Sequence, residues 1–134
     1  MVVYHGTTIS NLQKLLSGVS QEFPGLYVTD TYDRAKRYAN AQAEGIVSPD
    51  FNSLKPGAVV VELETKEEIA WRRRPDIHDT LDQCEDTITT WNVKRIIFCR
   101  YEYQNTVIQI NNKYVNANEY IDSLTTRYTV TEEF

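Results

Sequence analysis

The stretch Gly25-Leu26-Tyr27-Val28-Thr29-Asp30-Thr31-Tyr32-Asp33-Arg34-Ala35-Lys36-Arg37-Tyr38-Ala39 changes its periodicity part-way along. Pro24-Gly25 is a turn signal, and Leu26-Tyr27-Val28 after it reads as a short strand. Asp30 or Thr31 then suits a helix cap, and Ala35, Tyr38, Ala39 and Gln42 recur at the spacing of one helix face. A strand thus feeds directly into a helix, with one tyrosine on each, eleven positions apart.

Upstream, Val2-Val3-Tyr4 suits a strand, and the glycine in His5-Gly6-Thr7-Thr8 permits a turn. Ser10 and Gln13 have capping-box spacing for a helix through Leu12, Leu15 and Leu16 that Gly18 ends. Downstream, Gly45 to Gly57 reads as a loop, Ala58 to Leu63 as a buried strand and Ile69-Ala70-Trp71 as a shorter one. Pro75 to Gln83 is polar and reads as a loop with a helical turn. Glu85 precedes an apolar pattern at Ile88, and Val93 to Cys99 is the clearest strand. Thr106 to Ile110, Asn111-Asn112 and Lys113-Tyr114-Val115 make a hairpin, and Asn116 caps a helix over Ala117 to Leu124. Many short strands with few helices, without strict alternation, indicate an α+β fold in one domain, residues 1–134.

Composition narrows the function. Of 134 residues, 41% are hydrophobic and 25% charged, which argues against disorder, and the longest apolar runs of four cannot cross a bilayer. The N-terminus lacks the basic-then-apolar pattern of a signal peptide, so a cytoplasmic location is expected. A net charge of −5 disfavours non-specific attraction to phosphate backbones. Cys84 and Cys99 are too few for a disulfide framework and are expected to be reduced thiols. His5 and His78 have no metal-ligand spacing, so no metal is expected. Arg72-Arg73-Arg74 is the only basic run, and its simplest reading is a solvated face.

Strand–His5-Gly6-Thr7, then Gly25-Leu26-Tyr27-Val28-Thr29-Asp30, then Arg37-Tyr38-Ala39, then a late glutamate, resembles the ADP-ribosyltransferases over about positions 3 to 98. The similarity is to the histidine–tyrosine–glutamate branch, that of diphtheria toxin and the poly(ADP-ribose) polymerases. It implies two packed small antiparallel sheets with flanking helices, and NAD as substrate without a metal. By resemblance, Tyr27 and Tyr38 sandwich the nicotinamide, the Gly6 backbone pairs with its carboxamide, and His5 and Thr7 bond ribose hydroxyls. A carboxylate then stabilises the oxocarbenium-like ribose. Glu85 is preferred for it, in Gln83-Cys84-Glu85, with Glu119 as the rival. Asn116-Ala117-Asn118-Glu119 also reads as a capped helix start, where an acidic residue serves the helix dipole.

Ala35 departs from the pattern, since the polymerases keep there a serine that contacts the carboxamide. The chain is also short, so the resemblance implies transfer of a single ADP-ribose to a macromolecule, a protein before a nucleic-acid base. Such a domain would suit a toxin, a phage effector or a defence inhibitor, and a catalytically silent binding module is the alternative.

Overall fold

The computed structural model describes residues 1–44, 54, 55, 57–76, 79–99 and 107–133, with side chains described for all of these except 44, 72–76, 79–84, 99 and 133. Most of the loop expected over 45–57, His78 and the side chains of Cys84 and Cys99 therefore lie outside the described residues.

Two strands carry the centre. β3 (Ala58–Glu64) and β6 (Asn92–Cys99) pair antiparallel, and both are buried on two faces. Val59, Val61, Leu63, Ile96 and Phe98 face the larger core; Ala58, Val60 and Ile97 face the smaller one. β1 (Val2–Thr8) pairs with β3 along its whole length, from Val2 opposite Glu64 to Thr8 opposite Ala58. The glycine at position 6 therefore makes no turn, and the strand runs straight through His5-Gly6-Thr7.

The reason lies in α2 (Tyr32–Glu44), whose small residues Ala35 and Ala39 pack on β1 and β3. A Cβ built on Gly6 would stand 2.0 Å from the Ala35 carbonyl oxygen and 2.7 Å from the Ala39 nitrogen. Glycine at this strand position marks close backbone approach. The helix is started by Thr31, whose hydroxyl accepts the Arg34 amide at 3.4 Å, while Asp30 pairs with the Arg34 guanidinium at 2.6 Å.

Among the described residues the sheet has seven strands, in the order β4 (Arg72–Asp76), β5 (Asp79–Ile88), β2 (Leu26–Thr29), β1, β3, β6 and β9 (Val130–Glu133). β2, β4 and β5 form one wing, and β9 closes the other edge parallel to β6. A second, separate sheet is the hairpin of β7 (Val107–Ile110) and β8 (Lys113–Asn116). The α+β class stands, but two packed small antiparallel sheets are not what forms. Instead the two wings meet through one register pair, Tyr4 opposite Thr29, which keeps them in a single mixed sheet.

Opposite α2, the large core is covered by α1 (Gln13–Leu16), the hairpin and α3 (Ala117–Leu124), through Leu12, Leu15, Ile108, Ile110, Ala117, Ile121 and Leu124. The described part of the last third of the chain thus completes the sheet and closes its core. Its hairpin turns on Asn111 and Asn112, both at positive φ, and α3 is capped by the Asn116 side chain.

Three local expectations fail. Ser10 and Gln13 form no capping box; a 3₁₀ turn over Ile9–Asn11 precedes α1, whose cap position is Leu12. Ile69-Ala70-Trp71 is no strand, although Ile69 and Trp71 still pack on the core. Residues expected as a loop with a helical turn are the strands β4 and β5, so Glu85 lies inside a strand rather than before one. Beyond β5, the turn is pinned by Glu67, whose carboxylate accepts the amides of Thr89 and Thr90 at 2.9 and 2.8 Å. Burial raises the Glu67 carboxyl, but these amides and the two threonine hydroxyls together hold it below its ordinary value of 4.5. No described helix is long and apolar enough to cross a membrane.

Replacing Gly6 by alanine forces a methyl against helix backbone and is expected to destabilise the fold by about 3 kcal/mol, the upper end for overpacking. Urea denaturation checks this, and an unchanged unfolding midpoint would show that α2 is free to move off β1.

Candidate functional site

Beyond the Tyr4–Thr29 pair, β1 and β2 part. A continued ladder would put His5 opposite Val28 and Gly6 opposite Tyr27, but neither pair forms. A strand that leaves its neighbour must find other partners for its backbone groups. Here the His5 side chain supplies one, with Nδ1 bonded to the Tyr27 carbonyl oxygen across the gap. A carbonyl only accepts, so Nδ1 carries the proton and Nε2 of the neutral ring is left as an acceptor. Burial pushes the His5 imidazole below its ordinary value of 6.5, and the bond to Tyr27 opposes this in part.

The gap is a cleft of about 300 Å³ lined by Tyr4, His5, Gly6, Tyr27, Val28, Thr29, Tyr38, Gln42 and Glu85. Register explains how residues so distant in sequence meet there. Tyr4, Thr29 and Glu85 are cross-strand neighbours on β1, β2 and β5, so all three side chains share one face of the sheet. Tyr4 stacks edge-on against Tyr32 of α2, with ring centroids 6.3 Å apart, which makes this the α2 face. Tyr38, three residues after Ala35 on that helix, then reaches Glu85, and its hydroxyl donates to Glu85 Oε2 at 3.4 Å. Tyr27 is 52% exposed, so part of its ring is open to whatever enters the cleft.

A second cavity of about 430 Å³ adjoins the first and shares His5, Tyr27 and Gln42 with it. Its other walls include Thr7, Asn11, Lys14, Ser20, Gln21, Glu22 and Trp91. Trp91 is fixed there by its indole N–H, which donates to the Leu15 carbonyl at 2.8 Å.

Of the residues singled out from sequence, His5, Gly6, Tyr27, Tyr38 and Glu85 line the first cavity. Thr7 is buried and lines the second. Glu119 lines neither; it sits in the first turn of α3, where its amide donates to the Asn116 side chain at 3.2 Å. Ala35 is fully buried with its carbonyl against Gly6, so it offers no side-chain contact to a ligand. Arg72, Arg73 and Arg74 lie on the edge strand β4, opposite Glu85, Cys84 and Gln83 in register, and their side chains, like that of Gln83, lie outside the described set. Gln42, Thr29, Tyr4 and Lys14 belong to no motif that marks them as site residues in the sequence, although the shared helix face of Tyr38 and Gln42 is a signal for one of them.

No protein-family model matches the chain, nor does any curated protein or solved structure.

The geometry sets a pH behaviour for His5. Because folding weakens its hold on a proton, the unfolded chain binds protons more tightly below 6.5. The stability His5 contributes is therefore complete above 6.5 and is lost as the pH falls from there through the folded-state value. Nitrogen-detected NMR of the imidazole is expected to show an Nδ1-protonated neutral ring at pH 7 with a titration midpoint below 6.5. A midpoint above 6.5, or the Nε2-protonated form, contradicts the bond to Tyr27.

Proposed function

We propose that this chain is a mono-ADP-ribosyltransferase that cleaves NAD and transfers one ADP-ribose to a macromolecular acceptor, a protein in the first instance. On this reading its fold is a form of the ADP-ribosyltransferase fold whose two sheet halves stay joined at one residue pair. The observation that carries the proposal is the convergence of His5, Gly6, Tyr27, Tyr38 and Glu85 on one small cleft, from β1, β2, α2 and β5.

The chemistry of NAD suits these residues. Nicotinamide is a planar cation while bound to ribose and a neutral molecule once it leaves. Tyr27 and Tyr38 offer aromatic walls, and attraction between such rings and a desolvated cation adds roughly 1–2 kcal/mol to burial. The Gly6 backbone, bare of a side chain and packed against Ala35 and Ala39, lines the cleft and takes the carboxamide. His5, held neutral, adds no positive charge beside the pyridinium, and its Nε2 accepts a ribose hydroxyl. Lys14, the one lysine or arginine lining either cavity among the described residues, serves the diphosphate in the second.

In the reaction, the bond from ribose C1′ to the pyridinium nitrogen breaks and its electron pair leaves with nicotinamide. Positive charge develops on the ribose, and the Glu85 carboxylate stabilises it through the adjacent 2′-hydroxyl. A nucleophile of the acceptor bonds to C1′ and gives its proton to solvent. Tyr38, donating to Glu85, orients that carboxylate as well as walling the ring.

Glu85→Gln is expected to lower nicotinamide release by about a hundredfold or more while changing NAD affinity only a few-fold, since the charge acts mainly in the transition state. Tyr38→Phe keeps the ring and is expected to reduce turnover by about tenfold. Chromatographic quantification of nicotinamide and titration of NAD separate the two effects. Wild-type protein that binds NAD yet releases no nicotinamide, with or without a lysate of acceptors, would be a silent binding module instead.

A further inference from the structure

We propose that Gln42 is a binding residue that holds the nicotinamide-side ribose of the substrate; the proposal rests on the NAD reading above. The two cavities share three residues, His5, Tyr27 and Gln42, so these three border the route from one cavity into the other. Two of them, through His5 Nδ1 and the Tyr27 carbonyl, are already bonded to each other. Gln42 brings a side-chain amide, which both donates and accepts, as a vicinal diol requires of a partner.

Position along α2 decides which part of the substrate Gln42 meets. Ala35, Tyr38 and Gln42 follow one another at intervals of about one turn. Tyr38 lines the first cavity beside Glu85, and Gln42, one turn further on, lines both cavities. A substrate whose ring lies against Tyr38 in the first cavity and whose remaining chain extends into the second therefore brings its ribose to Gln42. Gln42 is itself exposed, so it is accessible to an incoming substrate.

The test is a ladder of four probes, nicotinamide, nicotinamide riboside, nicotinamide mononucleotide and NAD, titrated calorimetrically into the full chain. Gln42→Ala should bind free nicotinamide as the wild type does, while the gain in affinity on adding the ribose falls by about five- to tenfold, the worth of a neutral hydrogen bond or two. Gln42→Met, similar in length but without polar atoms, should lose the same gain. Thermal melting of both variants establishes that they fold. Equal weakening of nicotinamide itself, a loss confined to the last step of the ladder, or a methionine variant that keeps the full ribose gain would each overturn the role of Gln42. Wild-type protein that binds none of the four overturns the NAD reading beneath it, a result distinct from any of these.

Discussion

The contact between the bare backbone of Gly6 and the small residues of α2 governs how the rest of the molecule is arranged. With no side chain on Gly6, the Ala35 carbonyl and the Ala39 nitrogen lie where a Cβ would stand, so the helix rests on β1 itself. Small residues on both sides replace the interdigitating layer that separates most helices from a sheet, and a single methyl would reopen it. That proximity fixes the height and rotation of α2 over the sheet. Tyr38 and Gln42, further along the same face, are thereby delivered to the point where β1 and β2 separate.

The separation of those strands is the second constraint. A sheet interrupted near its middle loses ladder bonds, and an unpaired buried backbone group costs about 1–3 kcal/mol. Part of that loss is offset by the His5 side chain, which bonds the Tyr27 carbonyl from the far side of the gap. The same bond fixes the imidazole tautomer and leaves its other nitrogen for a ligand. One residue thus offsets a lost ladder bond and keeps an acceptor nitrogen beside the cleft. Farther out, the row Tyr4–Thr29–Glu85 carries the surviving pair of β1 and β2 into β5, so the carboxylate is placed by the pairing that keeps the two wings joined.

Much of this was legible in the chain where local chemistry and burial agree. β3 and β6 are apolar enough to be recognised without knowing their partners, and the α2 face repeats at helical spacing. Asn111-Asn112 and Asn116 each carry a local mechanism, a positive-φ turn and a side-chain cap. The β4–β5 hairpin was hidden because edge strands are kept polar, and Arg72-Arg73-Arg74-Pro75-Asp76 has little to mark it as sheet. Gly6 misled for a related reason: turn-permitting and helix-admitting glycines look alike until the helix is in place. Ser10 and Gln13 had capping spacing, but the 3₁₀ turn at Ile9–Asn11 occupies that position. The gathering of His5, Tyr38 and Glu85 depends on strand register between distant segments, which no local pattern encodes.

On the proposed reading, the cleft between β1 and β2 receives a nicotinamide ring between Tyr27 and Tyr38. Isotope-edited NMR of the protein saturated with NAD tests it most directly, through magnetisation transfer between the pyridinium protons and the tyrosine rings. Cross-peaks are expected from the nicotinamide to both Tyr27 and Tyr38, each lost when its tyrosine is replaced by leucine. Cross-peaks to neither ring at saturating NAD, or pyridinium contacts only with residues outside the cleft, would contradict it.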